Sequence, residues 1–425
     1  MISKIKKIIK KFLPEFLIIF FWHLPQSFLA ALINGFPARK ITVIGVAGTK
    51  GKTTTCNLIS QLLEGAGQKT AMISTALVKI GSKTELNNIK MTTPSPFFLQ
   101  NFIRKAVKEK CQYLVLETSS HALVQHRTLT IHFKIAVLTN MMSDHLEYHK
   151  TKEDYTNAHL KMLGSHLEYL IFNDDDPNLN KFKNLPLSSA KKITYSLENK
   201  KEILATNLSL NSKGSSFQLK SPQGLIEIKT PLLGKFNIYN SLAAIATALS
   251  QDVDLEIIKK IMSQIADTPG RMERINCGQK FEVIVDYAHS VDSLKNFFEL
   301  VSSLGARKII TVFGACGDRD PTVRPSMGKI VEQNSDYIIV ANDDPYSEDP
   351  EKIAQGLLEG MTKKEGRVWK ILDRREAIKK AISLAQEGDL ALVLGKGSEQ
   401  WQVFKTQRIP WDDRQVIREI LSEKR

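Results

Sequence analysis

Residues 41–55 read Ile-Thr-Val-Ile-Gly-Val-Ala-Gly-Thr-Lys-Gly-Lys-Thr-Thr-Thr, and this stretch decides the fold. The β-branched run 41–44 predicts a strand, and the apolar spacing of residues 58–63 predicts a helix after a glycine-rich turn. In that context backbone amides of the turn and the helix N-terminus cradle phosphate groups. Lys52 is expected to contact the β- and γ-phosphates, and Thr53 to ligate Mg²⁺.

The turn departs from the strict G-x-x-x-x-G-K spacing, because the residue five before Gly51 is Val46. A chance Gly-Lys-Thr turn would leave the flanking strand and helix unexplained, so the pattern favours a nucleotide site. ATP and Mg²⁺ are therefore the predicted cofactors. The predicted nucleotide-binding residues of the loop are Gly48, Thr49, Lys50, Gly51, Lys52, Thr53 and Thr54.

The composition is that of a globular protein of two or three domains. Hydrophobic residues make up 42% and charged residues 24% of the 425, which argues against a disordered chain. The net charge is +14, but five lysines fall within the first eleven residues and the rest is thinly spread. Aromatic and basic residues are not interleaved, so no nucleic-acid partner is expected. The four cysteines form no C-x-x-C pair, which indicates neither a zinc ribbon nor a disulfide framework.

The first 38 residues have a separate character. Apolar and lysine side chains of residues 2–16 occupy opposite faces of a helical wheel, and no formal charge occurs from Phe16 to Pro37. We interpret residues 1–36 as a segment that lies on an anionic membrane surface, the inner face of the plasma membrane. The alternatives are an amphipathic hairpin on the protein's own surface, and a signal peptide or true span. A signal peptide is disfavoured because a site for ATP, a cytoplasmic substrate, follows directly.

Four further motifs follow the phosphate loop in a fixed order. They are Met91-Thr92-Thr93-Pro94, the run Glu117-Thr-Ser-Ser-His-Ala-Leu-Val-Gln-His-Arg127, Thr139-Asn140, and Asp144-His-Leu-Glu-Tyr-His149. Together with the loop they resemble the Mur ligase family, nearest its UDP-N-acetylmuramoyl-tripeptide synthetases, over about Arg39 to Arg425. The resemblance implies an ATP-dependent, ADP-forming ligase that adds a free amino acid to a muramyl-peptide acceptor in cell-wall peptidoglycan synthesis.

The resemblance also implies roles for single residues. The muramyl peptide would be held by Thr92, Thr93, Ser119, Gln125 and Arg127. Glu117 ends an apolar strand, at the sheet edge where α/β proteins place metal-binding carboxylates, and it would ligate Mg²⁺ together with Thr53. By resemblance His145 completes a second Mg²⁺ site and is catalytic, as are Lys52 and Arg319. The Ser-Ser-His letters lack the G-x-S-x-G elbow of a serine hydrolase.

His159 marks a departure from the family. The family carries a carbamylated lysine there, whose carboxylate bridges the second metal, whereas this chain reads Tyr155-Thr-Asn-Ala-His159. Lys161 lies two residues on, which faces another side of a helix. An imidazole can ligate a metal although Mg²⁺ prefers oxygen, so we expect a weaker or rearranged second metal site at His159.

The second half of the chain continues the resemblance. Residues 231–240 resemble a segment whose asparagines, here Asn237 and Asn240, approach the adenine, and residues 270–273 resemble the opening of the last domain. Asp286 and His289 lie in a Asp-Tyr-Ala-His motif that the family places near the nucleotide. Apolar runs at 308–313, 337–340 and 390–394 alternate with helical patterns, which predicts a doubly wound, Rossmann-like sheet.

Two motifs imply the amino-acid site. Arg319 would hold a carboxylate of the incoming amino acid, and Gly395 and Glu399 its far end. The specificity box of diaminopimelate-adding relatives is D-N-P-R, and here it reads Asp343-Asp344-Pro345-Tyr346. Tyrosine supplies no positive charge for a distal carboxylate, and the additional Asp344 would suit a cationic side chain. The box therefore predicts lysine or ornithine rather than diaminopimelate.

The sequence thus predicts an α/β protein with three segments: an N-terminal segment 1–38, a P-loop central domain 39–268 with a mostly parallel sheet, and a doubly wound C-terminal domain 269–425. The family's N-terminal UDP-binding domain is expected to be lacking, so the acceptor could also be a lipid-linked muramyl peptide. The remaining alternatives are a folylpolyglutamate-like acceptor and a non-catalytic nucleotide-binding membrane protein. A monomer is expected.

Overall fold

The computed structural model describes residues 19–89, 91–142, 146–187, 189–198, 201–211, 214–302, 304–362, 366–405 and 407–423. Within these residues the chain divides into two compact units, and the change falls between Ile265 and Ala266. The described part of the N-terminal segment, residues 19–38, belongs to the first unit. The amphipathic pattern predicted for residues 2–16 lies outside the described residues.

The first unit is built on one sheet of eleven strands in the order β11-β10-β9-β8-β7-β6-β1-β5-β2-β3-β4. The strands are β1 (Thr42–Ala47), β2 (Thr70–Ile73), β3 (Leu77–Ile80), β4 (Lys83–Leu86), β5 (Tyr113–Glu117), β6 (Phe133–Leu138), β7 (Tyr169–Asn173), β8 (Lys191–Ser196), β9 (Ile203–Asn211), β10 (Gly214–Ser221) and β11 (Gly224–Thr230). From β8 across to β2 neighbouring strands run parallel, whereas the β2–β3, β3–β4 and β10–β11 pairs are antiparallel.

Helices cover both faces of this sheet, which is why its central strands are continuous apolar runs. The helices are α1 (Leu24–Asn34), α2 (Lys52–Gly65), α3 (Pro96–Lys108), α4 (Ser120–Val124), α5 (Leu146–His149), α6 (Lys152–Leu160), α7 (Asn180–Lys183), α8 (Lys235–Leu249) and α9 (Leu255–Ser263). On β1, Ile44 and Val46 enter the core beneath α2 and α8, and Val43 and Ala47 enter the opposite core beneath α3.

The second unit has a six-stranded sheet in the order β12-β13-β17-β14-β15-β16. Its strands are β12 (Glu273–Arg274), β13 (Glu282–Asp286), β14 (Ile309–Phe313), β15 (Tyr337–Val340), β16 (Val368–Lys370) and β17 (Leu390–Leu394), followed by the β18 (Trp401–Phe404) and β19 (Gln407–Pro410) pair. Its helices are α10 (Val291–Ser302), α11 (Arg324–Asn334), α12 (Pro350–Leu358), α13 (Arg374–Leu384) and α14 (Asp413–Glu423). Pairs from β13 to β16 are parallel.

The predicted fold class is therefore confirmed in both units, as a mostly parallel sheet with crossover helices and a second, doubly wound sheet. The strands predicted at 337–340 and 390–394 form with those bounds, and the run 308–313 starts one residue later, at Ile309. Among the described residues, the helices are all too short or too polar to cross a membrane.

Candidate functional site

The phosphate loop lies between β1 and α2 and is held by β6. Asn140, just beyond β6, accepts a hydrogen bond from the Lys50 amide (2.9 Å) and donates one to the Lys50 carbonyl (2.9 Å). The Thr139 hydroxyl donates to the same carbonyl at 2.7 Å. Lys52 Nζ donates to the carbonyls of Gly48 and Thr49, both at 2.8 Å, so the ammonium lies over the turn it would use to bind phosphate. The Thr139–Asn140 motif thus fixes the loop backbone.

Two glycines are required by this geometry. Gly48 has φ 133°, and a Cβ there would lie 2.7 Å from the Asn140 carbonyl oxygen. Gly51 has φ 81°, and a Cβ there would collide with the Asn240 side chain. Both backbone conformations are unfavourable for residues with side chains, so the glycines let the turn pack closely against its neighbours.

A carboxylate and a hydroxyl meet beside the loop. Glu117 is 2% exposed at the end of β5, and its Oε2 accepts hydrogen bonds from the Thr53 hydroxyl (3.0 Å) and the Thr75 amide (2.6 Å). The Thr75 hydroxyl donates to Oε1 at 3.0 Å. Hard oxygen donors next to a phosphate loop are the ligands that Mg²⁺ prefers, so the chemistry of this pair fits the ion. Burial raises the pKa of the nearby Cys56 thiol, with a further contribution from Glu117.

The five residues predicted to hold the muramyl peptide lie close to this pair. Thr93 Oγ1 donates to the Glu117 carbonyl (2.9 Å) and accepts from the Ser119 amide (2.9 Å). Arg127 donates a hydrogen bond to the Thr93 carbonyl at 2.7 Å. Its Nε and Nη2 both donate to Gln125 Oε1. Burial lowers the pKa of Arg127. The fifth residue, Thr92, lies next to this group, with its Oγ1 3.0 Å from Thr75 Oγ1.

Helix α6 places His159 in a buried aromatic chain. His159 is 1% exposed, its ring lies 5.0 Å from that of Tyr155, and its Nδ1 lies 2.9 Å from the Tyr155 carbonyl. Only a protonated Nδ1 can donate to that carbonyl, so the lone pair is on Nε2. Burial lowers the pKa of His159 to about 4, and the charge of Lys52 contributes. His159 is therefore a neutral imidazole near the phosphate loop and cannot reproduce a bridging carboxylate. His145 lies outside the described residues.

Helix α8 supports the loop from the other side. Asn240 Oδ1 lies 3.4 Å from Thr55 Oγ1, and its Nδ2 donates to Asn237 Oδ1 at 3.0 Å. Asn237 in turn donates to the Leu233 carbonyl at 2.9 Å. Thr54 is buried in the first turn of α2. The predicted approach of Asn237 and Asn240 to adenine stays a prediction, and the contacts seen here are with the loop and its helix.

In the second unit, the carboxyl ends of β15 and β17 bring together four charged groups. The Lys396 ammonium is fully buried and lies 2.9 Å from Asp344 Oδ1, 3.1 Å from Glu399 Oε2 and 3.4 Å from Asp343 Oδ1. Burial alone would lower the pKa of Lys396, but the three carboxylates hold it above its usual value. This internal cation was missed by the sequence reasoning, which had assigned only Gly395 and Glu399 from that motif.

Lys396 gives Asp344 of the specificity box a partner within the chain. The prediction assigned Asp344 to a cationic substrate side chain, but Asp344 is 1% exposed and binds Lys396 and the Val403 amide (2.8 Å). Asp343 Oδ2, by contrast, is buried and has no hydrogen-bond partner among the described residues. A Cβ on Gly395 would lie 2.5 Å from this oxygen, so the glycine allows the Asp343 carboxylate to pack against the end of β17. Of the three carboxylates beside Lys396, that of Glu399 is partly exposed, at 22%, whereas those of Asp343 and Asp344 are buried.

The rest of the box shapes the same edge of the sheet. Tyr346 has φ 49°, and its amide donates to the Val403 carbonyl at 3.1 Å. Burial raises the pKa of the Tyr346 phenol to about 12, with the Asp344 charge contributing, so it is neutral at physiological pH. The Pro345 carbonyl accepts from the Glu348 amide at 3.0 Å. Tyrosine here offers a hydroxyl and a ring in place of a guanidinium.

The other predicted residues of the second unit lie at neighbouring strand ends. Arg319 is exposed after β14 and makes no hydrogen bond within the described part of the chain. Asp286 ends β13 and accepts from the amides of Met272 and Ala288, both at 2.8 Å, and burial raises its pKa. His289 is exposed, with Nδ1 2.6 Å from the Tyr287 carbonyl. The contact of Asp286 and His289 with the nucleotide stays a prediction.

A buried ion pair underlies this edge and was not predicted. Arg374 and Asp413 are both fully buried, with contacts of 2.6 and 2.7 Å. Arg374 also donates to the carbonyls of Leu394 (2.9 Å) and Asn342 (3.1 Å), which precede Gly395 and Asp343. The pair thus fixes the ends of β17 and β15 relative to each other. Its members lie 39 residues apart, so no local pattern reveals it.

Comparison with known proteins places these two units in a family. The family profile described as the Mur ligase middle domain matches residues 46–248, and that of the Mur ligase glutamate ligase domain matches residues 270–397. The UDP-N-acetylmuramoyl-L-alanyl-D-glutamate--2,6-diaminopimelate ligase of Syntrophomonas wolfei is 40% identical over 406 residues, covering 94% of this chain and 82% of the relative. The corresponding ligase of Geobacillus kaustophilus is 37% identical over 407 residues, with the same coverages.

Solved structures agree with this relationship. A structure of UDP-N-acetylmuramoyl-L-alanyl-D-glutamate--2,6-diaminopimelate ligase superposes with a TM-score of 0.64 at 32% identity, covering 90% of this chain and 79% of that one. Mycobacterium tuberculosis folylpolyglutamate synthase complexed with ADP has a TM-score of 0.70 at 17% identity, covering 88% and 91%, and shares the fold. On its sequence and its fold, the chain belongs to the Mur ligase family.

Proposed function

We propose that the chain is an ATP-dependent, ADP-forming ligase that adds one amino acid to UDP-N-acetylmuramoyl-L-alanyl-D-glutamate in peptidoglycan synthesis. The 40% identity to a relative of that activity, over 94% of the chain, supports the reaction class. The product would serve the cell wall, and through it cell shape and division. Because ATP is the energy source, the reaction is proposed for the cytoplasm.

The observation that carries this proposal is the position of Glu117. Its carboxylate contacts Thr53 of the phosphate loop at 3.0 Å. Its backbone carbonyl accepts a hydrogen bond from Thr93 at 2.9 Å, and Thr93 belongs to the five residues predicted to hold the muramyl peptide, which we call the acceptor cluster. A single residue at a strand end therefore joins the nucleotide loop to the predicted acceptor subsite. That proximity is what phosphoryl transfer from ATP to an acceptor carboxylate requires.

The chain's own residues then have defined tasks. Thr53 and Glu117 would hold Mg²⁺, which when bound would neutralise phosphate charge. Lys52 would neutralise charge on the transferred phosphoryl group, and Arg127 would fix the acceptor by its buried charge. Transfer of the γ-phosphoryl group to the acceptor carboxylate gives an acyl phosphate and ADP. The amine of the incoming amino acid attacks that carbonyl, loses a proton, and phosphate leaves.

The incoming amino acid is proposed to carry a cationic side chain, lysine or ornithine rather than diaminopimelate. Asp343, Asp344 and Glu399 supply three carboxylates to the single ammonium of Lys396, and Tyr346 adds no positive charge. An excess of negative charge attracts an ammonium and repels a distal carboxylate. The relatives compared above are diaminopimelate ligases, so the amino acid is the point at which this chain is proposed to differ from them.

The test is phosphate release from ATP with the UDP-linked acceptor and a panel of amino acids, with product masses read in parallel. A product heavier by one lysine or ornithine residue supports both parts of the proposal. Equal or better turnover with meso-diaminopimelate would leave the ligase assignment intact and overturn the side-chain specificity. A folded, ATP-binding protein without turnover on this acceptor would contradict the acceptor assignment, and lipid-linked muramyl peptides would then be assayed.

The phosphate loop supplies the matched variants. Lys52→Ala should abolish product formation, because Lys52 is the ammonium over the turn. Lys69→Ala removes an exposed lysine of the same unit, away from the loop, and should leave turnover unchanged.

A further inference from the structure

Helix α1 buries its small side chains and exposes its large apolar ones. Its small residues Ser27, Ala30 and Ala31 are buried, at 1%, 0% and 0% exposure. Its large apolar residues face outward, and two of them are Leu29 at 47% and Ile33 at 61%. An amphipathic helix on a globular protein normally buries its large apolar side chains. The outer face of α1 is therefore built for contact with something else.

The exposed apolar surface extends beyond those two positions. On α1 it also includes Phe28 and Leu32, at 54% and 55% exposure, and the preceding turn exposes Phe21 and Trp22 at 70% and 44%. Helix α3, against which α1 packs, exposes Phe97 at 41%. Single exposed apolar residues are ordinary, but a cluster of large ones marks an interaction surface. We call these six residues of 21–33 the outer face of α1.

The inner face of α1 is firmly held, so its orientation is set by specific contacts. Ser27 Oγ donates to the His126 carbonyl at 2.6 Å, and Ala30 and Ala31 are fully buried. The helix ends at Asn34, and the φ of 71° at the following Gly35 allows the chain to turn back. Rotating α1 to hide its outer face would break the Ser27 hydrogen bond and bring large side chains against a surface packed for alanine and serine.

The charged side chains of α3 and of the two residues after Ala38 are all basic. The sequence from Phe16 to Ala38 contains no Asp, Glu, Lys or Arg, and the fifteen residues before it in the sequence carry five lysines and one acid, Glu15. Exposed Arg39 and Lys40 follow α1, and α3 adds exposed Arg104, Lys105 and Lys108. Apolar side chains bordered by basic ones match the two layers of an anionic bilayer, whose acyl region accepts the former and whose headgroups attract the latter. Tryptophan, as at position 22, is enriched at that boundary.

We propose that the outer face of α1 docks on an anionic lipid surface and holds this ligase at the membrane. Because α1 is attached through Ser27 to the turn that carries Gln125 and Arg127, docking places the acceptor cluster of the first unit beside the bilayer. The inference concerns where the enzyme works, and it holds or fails independently of the amino acid that is added.

The test is flotation of the full chain with vesicles of phosphatidylcholine alone or mixed with phosphatidylglycerol. We expect the chain to float with the mixed vesicles, and the bound fraction to fall as salt is raised. The variant Leu29→Glu with Ile33→Glu should partition onto the mixed vesicles about a hundredfold less, because two apolar anchors become charged. Leu225→Glu alters a leucine of β11 that is 61% exposed, as Ile33 is, and should float like the unaltered chain.

Thermal unfolding and ADP binding establish that the variants are folded. Flotation of the double variant equal to that of the unaltered chain would overturn the proposal, as would an unaltered chain that stays with the protein fraction in both lipid mixtures. A dimer in the absence of lipid that the double variant converts to a monomer would also overturn it, since a second copy would then cover the face.

Discussion

Replacing Lys396 with methionine tests the charge arrangement at the edge of the second sheet. Methionine keeps most of the side-chain volume but removes the ammonium, which leaves Asp343 and Asp344, at 2% and 1% exposure, without their cation. Removing one partner of a buried ion pair costs about 3–5 kcal/mol. For a unit of this size each kcal/mol lowers the unfolding temperature by about 2–4 °C, so we expect a fall of about 10 °C.

The loss should also depend on pH. In the unaltered chain the raised pKa of Lys396 keeps the ammonium charged. The ammonium therefore stabilises the fold at every pH below the usual lysine pKa, and this stabilisation is lost only as the pH rises through the pKa of Lys396 in the folded chain. Lys396 should therefore not make the free energy of unfolding of the unaltered chain depend on pH between about pH 5 and pH 8. In the variant, protonation relieves the buried carboxylates, so the destabilisation should be smaller at about pH 5 than at about pH 8.

The assay is thermal unfolding of the two proteins at both pH values, followed by circular dichroism. Lys370→Met removes a lysine of the same unit that pairs with Glu351 at 2.6 Å, at 43% and 56% side-chain exposure, and should cost less than about 1 kcal/mol. Adding Asp344→Asn to Lys396→Met should restore part of the loss, because one unpaired charge is removed. A Lys396→Met protein as stable as the Lys370→Met control, or a double variant no better than the single one, would refute the reasoning.

Three further predictions concern the reaction itself. Glu117→Gln should lower phosphate release at least about a hundredfold, because the carboxylate beside Thr53 is lost. The control Glu109→Gln alters an exposed glutamate and should not lower it. If Glu117→Gln retains turnover, Glu117 is not a ligand of the metal. Glu399→Gln should raise the KM for the amino acid about tenfold and leave the KM for ATP unchanged. The control is Glu359→Gln, which alters an exposed glutamate of the same unit. Equal effects of Glu399→Gln on both KM values would contradict a role at the amino-acid site. His159→Ala should weaken Mn²⁺ binding, measured calorimetrically with ADP present, more than Mg²⁺ binding, because imidazole nitrogen suits Mn²⁺ better; equal losses would exclude His159 as a ligand.

The sequence predicted best where one stretch of chain determines the outcome. The continuous apolar run 390–394 can form little other than a buried central strand, and β17 has those bounds. The glycine-rich turn at 48–51 was predicted between a strand and a helix, and it lies between β1 and α2. Fold class and family followed from such local patterns taken in order.

Contacts between residues far apart in the sequence were not predicted. Asp344 looked like a free charge in its tetrapeptide, but its partner Lys396 lies 52 residues away and packing alone brings them together. The Arg374–Asp413 pair has the same origin. The orientation of α1 was also beyond the sequence, because an apolar helix gives no sign of which side will be covered. Roles assigned by resemblance, such as those of Thr92 and Ser119, are compatible with the contacts seen and stay predictions.

The hydrogen bond from Ser27 to the His126 carbonyl has a consequence for anyone who shortens this protein. Residues 24–34 look dispensable in the sequence, as a tether ahead of the enzyme, yet they brace the backbone between Gln125 and Arg127. A chain trimmed to begin at Arg39 would lose its membrane contact and its acceptor-side brace together, so a drop in its activity could not be assigned to either. Point changes on the outer face of α1 separate the two effects, because they leave Ser27 and the alanines in place.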